Sequence, residues 1–198
     1  MSTSLHNRLQ LIDGFLDSGQ CEAILSELRF AFWRPSTVMV DRKSRGQSRT
    51  AARVSETTEE SWFSGQLRRI LVPIDRKLGN VVADFRRRRE SWQATRYARG
   101  GKFEFHLDAG HWSDDACGER EWTVLVYLNT ARGGGSTRFP LLDVDVQPRA
   151  GRLVAWRNLA DNRLPDPNML HASMPLTRGA KYVLVTWVRE KPVNQEEG

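Results

Sequence analysis

The segment FEFHLDAGHW, residues 103–112, places an imidazole and a carboxylate two residues apart at the end of a predicted strand. Its first residues alternate aromatic with polar or charged side chains, which is typical of an extended strand. Because side chains alternate across a strand, His106 and Asp108 share one face and can reach the same ion. The segment therefore indicates a metal site, and a further ligand must come from elsewhere in the chain.

A second histidine is available in the segment NMLHASMP, which supplies His171 just before the last strand-like segment. Two histidines and one carboxylate form a facial triad with three open coordination positions, an arrangement diagnostic of non-haem Fe(II) oxygenases. A bare His-x-Asp pattern also arises by chance. The alternative that His106 and His171 are unrelated polar residues at strand ends is therefore still open at this point.

A lysine stands at the head of the apolar segment KYVLVTWVRE, ten residues after His171. Burying Lys181 without an anion is costly, so a ligand carboxylate is a candidate partner. 2-Oxoglutarate, the co-substrate of many iron oxygenases, carries such a carboxylate at its far end. An exposed lysine at the end of a strand is the alternative.

The composition is that of an ordinary globular domain, with 198 residues, 39% apolar and 27% charged. No run of eighteen apolar residues and no signal-peptide pattern occurs, so we expect a cytoplasmic protein without a membrane span. Cys21 and Cys117 fit a reducing compartment. The net charge is +6, and the run Arg86–Arg89 is interpreted as a solvated face, with a surface for nucleic acid as the alternative.

The order of the elements predicts helices first and strands later. Asp17 or Ser18 can cap a helix that has apolar residues at helical spacing up to Leu28 and is stopped by Pro35. A second helix is predicted over residues 59–80, with Pro73 expected to kink or split it. After residue 90, short β-rich segments alternate with turn-rich pieces, which favours helices packed on a β-sandwich or jelly roll. We expect one domain over 1–198, with helical support at about 8–90 and a β-core at about 91–191.

Five ordered motifs resemble those of the prolyl 4-hydroxylase-type 2-oxoglutarate/Fe(II) dioxygenases. The family pattern YxxGxxYxxHxD occurs as YARGGKFEFHLD, with Phe103 in place of the second Tyr. Further matches are TVLVYLN, GGSTRFP and HASMPLTRGAKYVLVTWVR, and IDGFLDSGQCEAIL is similar to the family's N-terminal segment. The family's usual Glu and Gly are replaced by Ser136 and Ser173. The resemblance covers most of the chain and implies a double-stranded β-helix of the jelly-roll, cupin-like type.

Carried over position by position, the resemblance implies that His106, Asp108 and His171 bind Fe(II) and that Lys181 binds the distal carboxylate of 2-oxoglutarate. It also implies residues that line or hydrogen-bond the co-substrate: Tyr97, Tyr127, Thr137, Thr123 and Trp187. Plain core packing is an alternative for Trp187. His111 lies outside the family triad and is expected in a loop. O₂ is the second co-substrate, and ascorbate is the expected supporting reductant.

The resemblance implies hydroxylation of an unactivated C–H bond, with succinate and CO₂ as co-products. The expected substrate is a prolyl residue of a protein or peptide, and a free amino acid or natural product is the main alternative. Oxidative demethylation of nucleic acid fits the basic charge but not Lys181 and GGSTRFP, while an inactive binding scaffold would not need the retained site residues. Loops 36–56 and 109–120 are expected to shape the entrance, and oligomeric state is left open.

Overall fold

The computed structural model describes residues 2–6, 8–41 and 46–193, and most of its regular structure is β-strand. Within this part the α-helices are α1 Ser18–Leu28, α2 Gly65–Leu78 and α3 Phe85–Arg88. The strands in chain order are β1 Ser2–His6, β2 Leu9–Ile12, β3 Arg34–Pro35, β4 Val38–Asp41, β5 Gly46–Ser48, β6 Arg53–Val54, β7 Glu56–Glu59, β8 Gln93–Tyr97, β9 Lys102–His106, β10 Arg120–Tyr127, β11 Gly133–Gly134, β12 Thr137–Phe139, β13 Val144–Val146, β14 Leu153–Arg157, β15 His171–Ser173, β16 Leu176–Arg178 and β17 Lys181–Arg189. None of the helices in these ranges is long and apolar enough to cross a membrane.

Two facing sheets form the jelly roll that the sequence predicts. The larger sheet has the strand order β1-β2-β14-β10-β17-β8-β7-β3, and the smaller has the order β13-β12-β15-β9-β6. Alternation along β10 sends Val124 and Val126 into a core shared with the helices. Tyr127 points the other way, into a second core that also contains Phe139 of the smaller sheet. The site described below is built at this second core.

The helices differ from their predicted bounds for local reasons. The predicted cap of α1 is confirmed, since the Asp17 carboxylate accepts from the Gln20 amide at 2.7 Å in a capping box. The helix predicted over 59–80 is shorter, because Ser64 caps α2 by accepting from the Leu67 amide at 2.9 Å. Pro73 does not split α2. Pro73 has no backbone N–H, so one hydrogen bond of the helix is missing. Burial of the apolar face of the helix offsets this loss.

The segment before residue 91 is more than a helical support, because it adds strands to both sheets. β2 pairs with β14 and β7 pairs with β8 in the larger sheet, while β6 pairs with β9 in the smaller one. Within the segment expected to be an entrance loop, β4 forms a hairpin with β5. The N-terminal segment therefore reaches the edge of the smaller sheet that carries the candidate site.

The run of four arginines is divided between surface and interior. Arg86 and Arg87 are exposed, as expected of a solvated face. Arg89 instead donates to Asp75 at 2.9 Å and to Glu60 at 2.7 Å. Arg88 pairs with Glu121. Arg88 and Arg89 are thus engaged in ion pairs within the protein.

Candidate metal centre and co-substrate pocket

Three predicted ligands converge where β9 and β15 lie side by side. His106 at the end of β9 is the cross-strand partner of His171 at the start of β15. Asp108 follows two residues after β9, and one ligand atom from each of the three residues lies within 4.8 Å of the others. The Nε2 atoms of His106 and His171 lie 3.7 and 3.6 Å from the Asp108 carboxylate oxygens. The reading of the two histidines as unrelated polar residues is therefore excluded.

Backbone carbonyls orient both imidazoles. Nδ1 of His106 lies 2.7 Å from the Glu104 carbonyl, and Nδ1 of His171 lies 2.9 Å from the Met169 carbonyl. A carbonyl only accepts, so each Nδ1 carries the proton and each Nε2 keeps a lone pair on the side of Asp108. Burial, together with the neighbouring His171 imidazole, lowers the pKa of His106 to about 3. Two neutral nitrogen donors beside one carboxylate fit Fe(II), with positions left open for co-substrate and O₂.

A buried hydrogen-bond chain orients the carboxylate. The Thr123 hydroxyl donates to Asp108 Oδ2 at 2.7 Å, and the Asn158 amide donates to the Thr123 hydroxyl at 2.9 Å. Although burial opposes ionisation, the two imidazoles hold the pKa of Asp108 below its ordinary value. Thr123 was expected at the co-substrate, and its observed contact is with the metal-binding carboxylate. Asn158 was not predicted. Its only sequence signal is a polar residue directly after the apolar strand LVAWR.

Lys181 is buried at the head of β17, with 2% of its surface exposed, so the alternative of an exposed strand-end lysine is wrong. Its Nζ donates to the Gly135 carbonyl at 2.7 Å and to the Ser173 hydroxyl. Burial lowers the pKa of Lys181 to about 7. Among the described residues no carboxylate forms an ion pair with it. A buried ammonium whose hydrogen bonds go to neutral oxygens can bind an anion, which fits the distal carboxylate of 2-oxoglutarate.

The other predicted co-substrate residues line the same core. Tyr97 is the cross-strand partner of Lys181, and burial raises the pKa of its phenol. The hydroxyls of Tyr127 and Thr137 lie 2.6 Å apart, and both side chains are buried. Thr137 is in turn the cross-strand partner of Ser173. The fold thus brings these three predicted residues close to the lysine.

A cavity of about 470 Å³ opens beside the metal centre. His106 and Asp108 form part of its wall, as do Trp187 and the half-buried His111. Trp187 is therefore a wall residue as well as a core residue. The buried group around Lys181 does not line this cavity.

A stacked arginine forms another part of the wall. The Arg120 guanidinium lies 3.7 Å from the centroid of the Trp187 ring, and Glu90 accepts from it through both carboxylate oxygens at 2.8 and 2.7 Å. Such a bidentate pair fixes the plane of the guanidinium. Arg120 is the last residue of the 109–120 segment expected at the entrance, whereas Glu90 was not predicted and is brought to the cavity only by the folded register.

The predicted entrance loops also reach the cavity. Val38, Met39 and Gln47 of the β4–β5 hairpin line it, and so do His111 and Trp112 of the 109–120 loop. The basic residues Arg42, Lys43 and Arg45 of the first loop lie outside the described residues.

Comparison with known proteins agrees with this geometry. The model of the 2OG-Fe(II) oxygenase superfamily matches residues 92–189. The chain is 25% identical over 205 residues to prolyl 4-hydroxylase 13 of Arabidopsis thaliana, covering 95% of this chain and 73% of that protein. It is 29% identical over 184 residues to the prolyl 4-hydroxylase subunit alpha-1 of Gallus gallus, covering 89% of this chain and 35% of that protein.

A solved structure shares the fold. The viral collagen prolyl hydroxylase of Paramecium bursaria chlorella virus 1, solved as a 2-oxoglutarate complex, superimposes with a TM-score of 0.66 at 24% identity, covering 92% of this chain and 96% of that one. The chain belongs to the 2OG-Fe(II) oxygenase superfamily and is a dioxygenase that uses Fe(II) and 2-oxoglutarate.

Proposed function

We propose that this dioxygenase hydroxylates a prolyl residue of a protein or peptide and releases succinate and CO₂. The observation that carries the proposal is the convergence of His106, Asp108 and His171 within 4.8 Å, in a fold that also buries Lys181 without a carboxylate partner among the described residues. The similarity to proteins named prolyl 4-hydroxylases supports the choice of proline.

The residues of this chain would bind the metal ion and the co-substrate and would keep the metal ligands in one orientation. His106, His171 and Asp108 would hold Fe(II), and the Asn158–Thr123 chain would keep the carboxylate in one orientation. When bound, Fe(II) with 2-oxoglutarate and O₂ supplies the oxidising power that places a hydroxyl group on a C–H carbon. Lys181 would fix the co-substrate at its distal end.

The cavity wall offers groups that suit a peptide. Among the described residues, the indole Nε1 of Trp187 is buried and has no hydrogen-bond partner, which is uncommon for a buried donor. A small side-chain movement would expose this donor to a peptide carbonyl bound in the cavity. The Arg120 guanidinium stacked on the same ring is a second donor beside it. These two donors are the groups we expect to position the reacting residue.

A free amino acid is the second candidate substrate, because Arg53 also lines the cavity. Its hydrogen bonds within the described residues go to neutral oxygens, such as the Thr37 carbonyl at 3.2 Å. A guanidinium without a carboxylate partner suits the carboxylate of a small substrate. Nucleic acid is less favoured, since Arg88 and Arg89 are engaged in ion pairs within the protein.

The first experiment needs no substrate. The protein is mixed anaerobically with Fe(II) and 2-oxoglutarate, and the visible charge-transfer band of the chelate is recorded. We expect a band in the wild type that is lost in His171→Ala and weakened in Lys181→Ala. A folded wild-type protein without the band would refute the proposal. Succinate release is then compared with a prolyl peptide and with free proline, and stimulation by proline alone would favour the small-molecule alternative.

We also propose that the protein works in a reducing compartment, the cytoplasm. The proposal is supported by its two cysteines, because buried Cys21 and half-buried Cys117 are both free thiols.

A further inference from the structure

One of the two serines that replace family residues lies against the buried lysine. Ser173 stands where the family usually has glycine, and its hydroxyl forms a hydrogen bond with the Lys181 ammonium. On β12, Thr137 is the cross-strand partner of Ser173. A glycine has no side chain to offer at this position, so the contact with the lysine is a property of this chain's own sequence.

The direction of this hydrogen bond leaves the serine with a donor. An ammonium group can only donate, so the Ser173 oxygen accepts from Lys181 and keeps its own O–H as a donor. Lys181 donates a second N–H to the Gly135 carbonyl at 2.7 Å, and an ammonium has three. The site therefore presents two donors side by side, one on the lysine and one on the serine.

Close packing keeps the ammonium beside Ser173. The Lys181 side chain runs past Gly135, where an added Cβ would lie 3.4 Å from Lys181 Cδ and 2.9 Å from Leu176 Cδ1. The lysine is also almost completely buried, so its position is fixed by the groups around it. A carboxylate that reaches Lys181 therefore also comes within reach of the Ser173 hydroxyl.

The Tyr97 phenol is a competing acceptor for the serine O–H. Burial raises the pKa of this phenol, and both Arg53 and the hydrogen bond with Ser173 oppose that rise. A neutral phenol oxygen is a weaker acceptor than a carboxylate, because hydrogen bonds to an ionised group are roughly twice as strong. A bound carboxylate would therefore replace the phenol as the acceptor of the Ser173 hydrogen bond.

We propose that the Ser173 hydroxyl donates a hydrogen bond to the distal carboxylate of 2-oxoglutarate, which makes Ser173 a specificity-determining residue for the co-substrate. A lysine alone is a point charge on a flexible stem. A second donor on a different side chain restricts the carboxylate to one orientation. The assignment concerns the co-substrate only, so it is independent of the proposed prolyl substrate.

Co-substrate titrations without O₂ test the assignment without turnover. The protein is loaded with Fe(II), and the charge-transfer band is followed as 2-oxoglutarate or 2-oxopentanoate is added. The second compound has the same carbon chain with a methyl group in place of the distal carboxylate. We expect Ser173→Ala to weaken 2-oxoglutarate binding about 10- to 100-fold, the size of one hydrogen bond to a charged group. Its affinity for 2-oxopentanoate should equal that of the wild type.

Ser136→Ala is the matched control, because Ser136 is the other serine that replaces a family residue. It is buried, and its carbonyl accepts from the amide of Met174, the residue after Ser173, at 2.8 Å. Within the described part of the chain its hydroxyl forms no hydrogen bond with Lys181. Both ligands should therefore bind Ser136→Ala as they bind the wild type, whereas Ser173→Gly, which restores the family residue, should behave like Ser173→Ala.

Three outcomes would overturn the assignment. An unchanged affinity of Ser173→Ala for 2-oxoglutarate would leave the serine hydroxyl with Tyr97. Equal losses for 2-oxoglutarate and 2-oxopentanoate would show that Ser173 acts through the position of His171, two residues away. A loss of the same size in Ser136→Ala would assign the effect to the pairing of β12 with β15. None of these outcomes depends on whether a prolyl substrate is hydroxylated.

Discussion

The ammonium nitrogen of Lys181 lies 4.1 Å from the centroid of the Tyr97 ring, and the two residues are cross-strand partners in β17 and β8. The ring face stabilises a cation, and burial disfavours it. Neither the ring nor the neighbouring oxygens carry a negative charge. The lysine therefore remains available to bind an anion. Three predictions depend on this arrangement.

Replacing Lys181 by methionine should abolish the stabilisation that 2-oxoglutarate gives the protein. A ligand that binds only the folded protein raises its stability by an amount that grows with the logarithm of the affinity, so the rise of the melting temperature with co-substrate should disappear when binding is lost. Without co-substrate the melting temperature should hold or rise, because a costly buried charge is gone. Lys102→Met, at a half-buried lysine paired with Glu104, is the control and should keep the full response. A normal response in Lys181→Met would place the carboxylate elsewhere.

The affinity for 2-oxoglutarate should fall as pH rises above about 7. The pKa of Lys181 in the protein without ligand is about 7, against an ordinary value of 10.5, so the ammonium loses its proton in this range. Binding a carboxylate then requires proton uptake, which costs up to about tenfold in affinity per pH unit. The Tyr97 phenol stays neutral here because burial raises its pKa. Calorimetry in buffers of different ionisation enthalpy measures the uptake, and a flat profile from pH 7 to 9 would contradict it.

The same lysine affects stability without ligand. Between pH 7 and 10.5 the unfolded chain holds a proton that the folded chain does not, so this group makes stability rise with pH in that window. Lys181→Met should remove this contribution, and chemical denaturation at pH 7 and 9 measures it. An unchanged pH dependence in the variant would show that another group is responsible.

Replacing Thr123 by valine should weaken Fe(II) binding about 10- to 100-fold, the usual cost of losing a group that orients a metal ligand. The variant removes the hydroxyl that donates to Asp108 at 2.7 Å and keeps the side-chain shape. Thr58→Val is a matched control, because Thr58 is equally buried in a strand and its hydroxyl has no hydrogen-bond partner in the described part of the chain. Metal titration of both variants gives the comparison, and equal affinities would remove Thr123 from the site.

Replacing Arg89 by alanine should destabilise the fold by about 3 to 5 kcal/mol, because it leaves a buried carboxylate without its cation. The carboxylate is that of Asp75, which also accepts from the Trp92 indole at 2.9 Å. Arg87→Ala, at an exposed position of the same run, should stay within about 0.5 kcal/mol. Urea denaturation measures both variants. Similar values for the two would show that the ion pairs contribute little.

The central residues of the site could be predicted from sequence because each has a local signature. The spacing of His106 and Asp108 predicts that both side chains turn to the same side, and Lys181 heads an apolar strand, where a buried lysine needs an anion as its partner. Thr123 was recognised as a site residue, but its partner depends on how the strand lies against Asp108. That relationship is set by sheet register, which no short pattern specifies.

Irregular strand pairing brings Phe103 and His106 to the same side of β9. Period-two alternation puts Phe103 and His106 on opposite faces, yet their rings stack with centroids 3.7 Å apart. Four residues of β9 stand opposite three of β15, since His106 pairs with His171 and Phe103 with Ser173. An inserted residue of this kind returns the two side chains to one side. Bulges are frequent next to active sites and leave no clear trace in composition.

The pairing of β9 with β15 also affects how resistant the protein is to degradation. His106 and His171 stand 65 positions apart in the chain, so an ion held by both would act as a cross-link closing a large loop. Because the ion site exists only in the folded protein, the free energy of ion binding adds to the free energy of unfolding. Chelation would loosen the smaller sheet, beginning with its edge strand β6, and would expose that edge to proteases. Iron supply would then control the abundance of the protein as well as its turnover rate.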